Sequence, residues 1–139
     1  MKKLNRVVAI AGLTIIVAGI SIELGASKKS FSFEFSSSVV GRTEFDFSDG
    51  KAKCNAQADT YRYGTGEVLR NKYRYKLSLE KKSLFGKTYA GNTIYADGCT
   101  HTVSFQSIKE GTYTVNIGSP DSLASKGAII KGTGVLYQE

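Results

Sequence analysis

A strand buried on one face carries apolar residues at every second position, and this alternation recurs along the chain after residue 27. It is most regular at 72–79, where Tyr and Leu alternate with Lys, Arg and Ser. A hairpin is predicted at 87–95, with strands Lys87–Ala90 and Thr93–Tyr95 flanking a turn at Gly91–Asn92. Further strands are predicted at 31–36, 44–48, 52–59, 99–105, 113–117 and 128–137.

About eight short strands separated by Gly and Asp turns predict an all-β fold. Two architectures fit this pattern, an antiparallel β-sandwich and a small β-barrel. One strand has an unusual inward face, because the apolar positions of 52–59 are three Ala and one Cys. Such small side chains predict close approach by a facing sheet.

Residues 105–115, with the sequence FQSIKEGTYTV, favour the sandwich. This segment resembles the corner that leads into the sixth strand of immunoglobulin-like domains, where a Gly precedes a Tyr whose hydroxyl bonds back to the upstream backbone. Gly111 and Tyr113 stand at those positions. Val115 stands where that family often has a cysteine, and the chain has no Trp. The resemblance covers about 11 residues and implies an immunoglobulin-like sandwich of 7–8 strands, with no activity attached.

The first 26 residues have the three-part layout of a secretory signal. Lys2, Lys3 and Arg6 precede an apolar run at 7–20, and the small residues Gly25 and Ala26 follow. We predict a signal peptide at 1–26 that is cut after Ala26, or alternatively an uncleaved membrane anchor helix. Residues 27–139 are then a single domain that is secreted, or tethered outside the membrane.

An exported protein meets oxidising conditions, so its cysteines are candidates for a disulfide. Cys54 and Cys99 both fall on inward positions of predicted strands. A bridge would close a loop of 45 residues and stabilise the fold by roughly 4 kcal/mol. The alternative is two buried thiols that act as small hydrophobes.

Positive charge is concentrated between residues 61 and 87, which include eight Lys and Arg but only two Glu. The whole chain has a net charge of +7. Lys72, Arg74 and Lys76 are predicted to stand in a row on one strand, about 7 Å apart. Such a face suits anionic lipid head groups or an anionic envelope polymer, with no specific nucleic-acid partner. Alternatively, the cations only solubilise or guard an exposed strand. The candidate face comprises Arg70, Lys72, Arg74, Lys76, Lys81, Lys82 and Lys87.

The residues of catalysis and metal binding are sparse. The single histidine, His101, cannot form a multi-histidine metal site, and no nucleophile and carboxylate are visibly paired with it. The acids between Glu34 and Asp49 lack the spacing of a calcium loop. No glycine-rich loop is present that would cradle a phosphate. The sequence therefore predicts no enzyme, no cofactor and no metal.

These observations favour a small exported binding module, non-catalytic, at the cell envelope or in the medium. We expect a monomer or a weak oligomer. A secreted antagonistic protein of the bacteriocin type is the alternative, and a growth-inhibition assay separates the two. A third possibility is a subunit that donates or accepts an edge strand, because the apolar segment 31–35 would open the mature chain.

Overall fold

The computed structural model describes residues 5–7, 16–18, 22–25, 28–41, 43–83 and 86–138, with side chains described from residue 28 onward except at 39 and 40. These residues form twelve strands and a short 3-10 helix, Ala124–Lys126. The strands are β1 Asn5–Val7, β2 Ile16–Ala18, β3 Ile22–Gly25, β4 Lys28–Phe35, β5 Ser38–Val40, β6 Phe45–Phe47, β7 Gly50–Arg62, β8 Arg74–Lys81, β9 Thr88–Tyr95, β10 Asp97–Ile108, β11 Gly111–Gly118 and β12 Ala128–Tyr137.

Ten of these strands, all except the pair β1–β2, form two antiparallel sheets. The first sheet has the order β10-β7-β12-β4-β3. The second has the order β5-β11-β8-β9, and β6 also pairs with β11. The described strands thus form two separate sheets rather than one closed sheet. The predicted all-β sandwich is confirmed.

The first sheet places small residues at its centre. Ala52, Cys54, Ala56 and Ala58 of β7 are all buried. On β12, Gly134 lies opposite Phe31 of β4, and a Cβ at Gly134 would come within 2.5 Å of the Phe31 ring. The phenyl rings of β4 therefore fill the space beside the glycines of β12. This contact lies within the first sheet, so the predicted close approach of a facing sheet to β7 stays a prediction.

The second sheet carries large inward residues, including the fully buried Tyr75 and Tyr113. It comes close to β10 at Gly91, where a Cβ would lie 2.3 Å from a methyl of Val103. The predicted turn at Gly91–Asn92 is wrong, because β9 runs through it as one strand. Gly91 allows a close approach, and the register with β8 shifts beside it.

The corner that resembles immunoglobulin-like domains is present as a local feature. Tyr113 Oη donates a hydrogen bond to the carbonyl oxygen of Lys109 at 2.5 Å. The strands that flank this corner, β10 and β11, lie in different sheets. In immunoglobulin domains the fifth and sixth strands, which flank the corner, also lie in different sheets. The resemblance therefore extends to the corner and to the two-sheet architecture.

The described residues of the leader are in β1, β2 and β3, where a signal or anchor helix was expected, and β3 pairs with β4. The leader is rich in Val and Ile, which suit strands, and β4 offers a free edge for pairing. Within the described part of the chain, no helix is long and apolar enough to span a bilayer. The predicted cut after Ala26 lies outside the described residues and stays a prediction.

Candidate binding cleft

The seven predicted cations do not form one continuous face. Three are in ion pairs, because Lys72 contacts Asp59 at 2.6 Å, Arg74 contacts Asp121 at 2.8 Å, and Lys82 contacts Glu44 at 2.6 Å. Lys72 also precedes β8, so the expected row of three is shortened.

The four other cations are spread along the second sheet. The Lys87 ammonium lies 5.1 Å from the Tyr89 ring centroid, and Lys81 packs against Gly111. These two lie near the far end of β8, about 24 Å from its start by the rise per residue. Lys76 is exposed on β8 near its start, and Arg70 lies in the loop before β8.

Arg70 is part of a cleft that the sequence did not reveal. This cationic cleft, of about 360 Å³, is lined by three cations from three chain segments: Arg62 ends β7, Arg70 lies in the following loop, and Lys126 ends the 3-10 helix. Its other lining residues are Leu69, Asn71 and Tyr73. Residues separated by more than 60 positions thus present like charges to one small space.

The loop that carries Arg70 is held by one buried polar residue, Thr60 of β7. Its hydroxyl donates to the Ala96 carbonyl at 2.9 Å and accepts the Tyr73 N–H at 3.2 Å. Its carbonyl accepts the Leu69 N–H at 2.9 Å. Because these hydrogen bonds are shielded from water, they anchor both ends of the Arg70 segment to the sandwich.

The hairpin on the other side of the cleft is fixed in the same way. Gly66, at a φ of +75° that favours glycine, donates its N–H to the Arg62 carbonyl at 3.0 Å. The Tyr63 N–H donates to the Gly127 carbonyl at 2.8 Å, which joins the hairpin to the 3-10 helix. This contact brings Lys126 beside Arg62. Tyr63 itself remains 48% exposed, and Val68 is 54% exposed.

The charges around the cleft are mostly uncompensated. Arg62 Nε donates to Glu67 at 2.9 Å, but both side chains are more than half exposed, so this pair is weak. In the described part of the chain, Arg70 and Lys126 have no ion-pair partner within 4.0 Å. The pKa of Asp121 is lowered mainly by its hydrogen bonds with Arg74, and the charge of Lys126 adds to the effect. The cleft is therefore electropositive.

The expected disulfide is absent, and both cysteines carry free thiols. Cys54 is buried opposite Val103, whereas Cys99 is exposed four residues earlier on β10. That offset is about 13 Å along the strand, and a bridge needs Cα atoms within about 7 Å. Burial raises the pKa of the Cys54 thiol to about 12, so it is protonated and unreactive. The inward placement of Cys99 is wrong because the register shifts between Asp97 and Thr100.

The same irregularity creates a contact that the alternation did not predict. His101 Nε2 lies 3.0 Å from Asp97 Oδ1, and both side chains are one-third exposed. Burial alone would raise the pKa of Asp97, but hydrogen bonds from the Cys99 N–H and from His101 outweigh it and lower the pKa. The contact links Asp97 to His101 at the start of β10. The sequence indicates this site only through the adjacent Asp97 and Gly98, a pair typical of turns.

The predicted acidic cluster has structural partners. Asp46 accepts the Thr112 hydroxyl at 2.6 Å, and Asp49 accepts the Glu110 N–H at 2.6 Å. No group of three or more His, Cys, Asp or Glu side chains within the described ranges is placed to hold a metal ion. These acids join neighbouring loops and strands.

Comparisons with known proteins find a similarity to a solved structure. No protein-family model matches the chain, and no curated protein matches it in sequence. Among solved structures, the chain is similar to the Aeromonas hydrophila protein PliG, described as a periplasmic lysozyme inhibitor of g-type lysozyme. The TM-score is 0.49 and the identity 10%, over 85% of this chain and 91% of that chain. A similarity at this level establishes no shared activity.

Proposed function

We propose that the chain is an exported, non-catalytic binding protein that receives an acidic side chain of a protein partner in the cationic cleft. The observation that carries this proposal is the convergence of Arg62, Arg70 and Lys126 around Tyr73. Like charges are gathered there at an electrostatic cost, which a carboxylate from a partner would relieve. Export follows from the predicted leader at 1–26.

The surroundings of the cleft favour a protein over a polymer. Tyr63 and Val68 stand exposed beside it and offer apolar contact area. Tyr and Arg are the residues that most often dominate protein interfaces. A polyanion would be tracked by a row of free cations, but Lys72 and Arg74 are engaged by Asp59 and Asp121.

The cleft also requires little ordering before it binds. Its loop is held by the hydrogen bonds of Thr60, and its hairpin is held to the 3-10 helix by the Tyr63–Gly127 contact. A site that is already in place loses less conformational entropy on association. This is typical of a rigid binding surface.

A charge-reversal experiment tests the proposal. The probe is hexaglutamate, titrated into the ¹⁵N-labelled protein at low salt and followed by amide chemical shifts. We expect saturable shifts at Arg70, Asn71 and Lys126, and binding about tenfold weaker in the double variant Arg70→Glu, Lys126→Glu. The matched control is Lys51→Glu, Lys109→Glu, which changes net charge equally at two exposed lysines away from the cleft.

Two results would contradict the proposal. Equal weakening by both double variants would show that net charge alone attracts the peptide. Binding to phosphatidylglycerol vesicles without shifts from hexaglutamate would favour the anionic-surface hypothesis instead. Raising the salt to 0.5 M should weaken binding of the native protein, because the contact is ionic.

A further inference from the structure

We infer that the outer face of the second sheet holds a separate site for an acidic oligosaccharide. The site is a groove of about 530 Å³ on the solvent side of β5, β11, β8 and β9. It shares no lining residue with the cationic cleft. The proposed function above does not depend on it.

The groove arises from the cross-strand register. Ser38, Gly118, Lys76 and Thr93 stand in one row across the four strands, and Asn116 and Ser78 stand in the next row. Gly118 has no side chain, so the surface is depressed between its neighbours. Small hydroxyl side chains border this depression, and it is open to solvent.

The lining has the chemistry of a sugar site. Hydroxyl and amide groups can donate to and accept from the hydroxyls of a sugar in several orientations. Lys76 is exposed in the middle of the row, and no carboxylate within the described ranges pairs with it. One ammonium group among neutral hydroxyls selects a sugar that carries a carboxylate.

Asn116 supplies a second indication. Its amide nitrogen donates to Glu80 at 3.0 Å, but its Oδ1 is buried with no hydrogen-bond partner in the described part of the chain. An unsatisfied buried acceptor is costly. A small rotation of this amide would let a ligand hydroxyl in the groove provide the missing hydrogen bond.

An aromatic ring stands at the rim. Tyr95 is 52% exposed and lies two residues after Thr93 on the same face of β9, about 7 Å along the strand. Its ring can pack against the C–H face of a sugar while its hydroxyl stays in water. An exposed aromatic two residues beyond the lining residue Thr93 offers a contact for a further sugar unit of an oligosaccharide.

The groove is held open at one end by a fixed loop. Ser119 Oγ donates to the Arg74 carbonyl at 2.6 Å and accepts the Asp121 N–H at 3.0 Å. Arg74 in turn is paired with Asp121. These contacts hold Ser119 and Pro120, which line the groove, against the start of β8.

The test uses trigalacturonic acid and maltotriose as acidic and neutral probes, titrated into the full domain with amide shifts as the readout. We expect saturable shifts at Lys76, Thr93 and Asn116 with the acidic sugar only. Tyr95→Ala and Lys76→Met should each weaken binding about tenfold. Lys131→Met is the matched control for the lysine, since Lys131 is exposed on β12 in the other sheet, and it should not change affinity.

Absence of saturable shifts in the groove with trigalacturonic acid would overturn the inference. So would equal binding of maltotriose, which would remove the role assigned to Lys76, or unchanged affinity in Tyr95→Ala. Shifts confined to Arg70 and Lys126 would assign the sugar to the cationic cleft and also overturn it. The hexaglutamate experiment probes different residues, so the two proposals fail separately.

Discussion

The two sheets fill one core in opposite ways. In the first sheet β7 presents only Ala and Cys, and β12 presents glycines between Ile130 and Leu136, so much of the volume comes from the phenyl rings of β4 and of Phe105 on β10. In the second sheet the paired strands β8 and β11 supply the volume themselves, with Tyr, Leu, Val and Ile. The contribution of the first sheet to stability therefore depends on the steric fit of its side chains. The second also brings polar hydroxyls into the core, which must find partners.

The largest effect is expected from breaking the steric fit of the first sheet. Gly134→Val would place side-chain atoms against the Phe31 ring and the Cys54 sulfur, which already lie 2.5 and 3.1 Å from a Cβ at this position. We expect a loss of about 1–3 kcal/mol in the free energy of unfolding, measured by urea denaturation.

Thr133→Val is the matched control for this substitution, because it puts valine one residue earlier on the exposed face of β12. It should change stability by no more than about 0.5 kcal/mol. Equal losses of stability in the two variants would show that valine is destabilising on either face of β12. The packing of its inner face would then not be the cause.

A smaller effect separates the two fully buried tyrosines of the second sheet. The Tyr113 hydroxyl bonds to Lys109, whereas the Tyr75 hydroxyl is buried without a partner among the described residues. Tyr113→Phe should therefore cost about 1 kcal/mol. Tyr75→Phe should be neutral or stabilising, since it removes an unsatisfied polar atom from the core. Parallel thermal and urea unfolding of both variants provides the measurement, and a larger loss from Tyr75→Phe would contradict this interpretation.

The smallest effect concerns the charged contact that ties the start of β8. Hydrogen bonds from Arg74 lower the pKa of Asp121, so its carboxylate stabilises the fold above its unfolded pKa. That contribution is lost as the pH falls through the lower folded pKa. Asp121→Asn should reduce the melting temperature at pH 7, and the difference should shrink toward about pH 2. A difference that does not vary with pH would exclude the carboxylate charge as the cause.

Patterns local to one strand were readable from the sequence. Alternation located β4, β7, β8, β10, β11 and β12, because burying one face imposes a period of two on any strand. The corner at Tyr113 was also readable, since donor and acceptor are four residues apart. The turn predicted at Gly91 is wrong because the sequence does not distinguish a glycine that permits close packing from a glycine that permits a turn.

The sequence by itself determined the all-β class and the small inward face of β7, and it favoured a sandwich over a barrel. Only the tertiary structure decided which charges are free. Lys72 and Arg74 are paired with Asp59 and Asp121, acids distant in sequence, and Arg70 meets Lys126 only because a loop and a 3-10 helix lie side by side. The exposure of Cys99 likewise depends on one register shift in β10, and its distance from Cys54 depends on the pairing of Cys54 with Val103. Side-chain period is a property of each strand, whereas pairing of charges and thiols depends on which strands become neighbours and in what register.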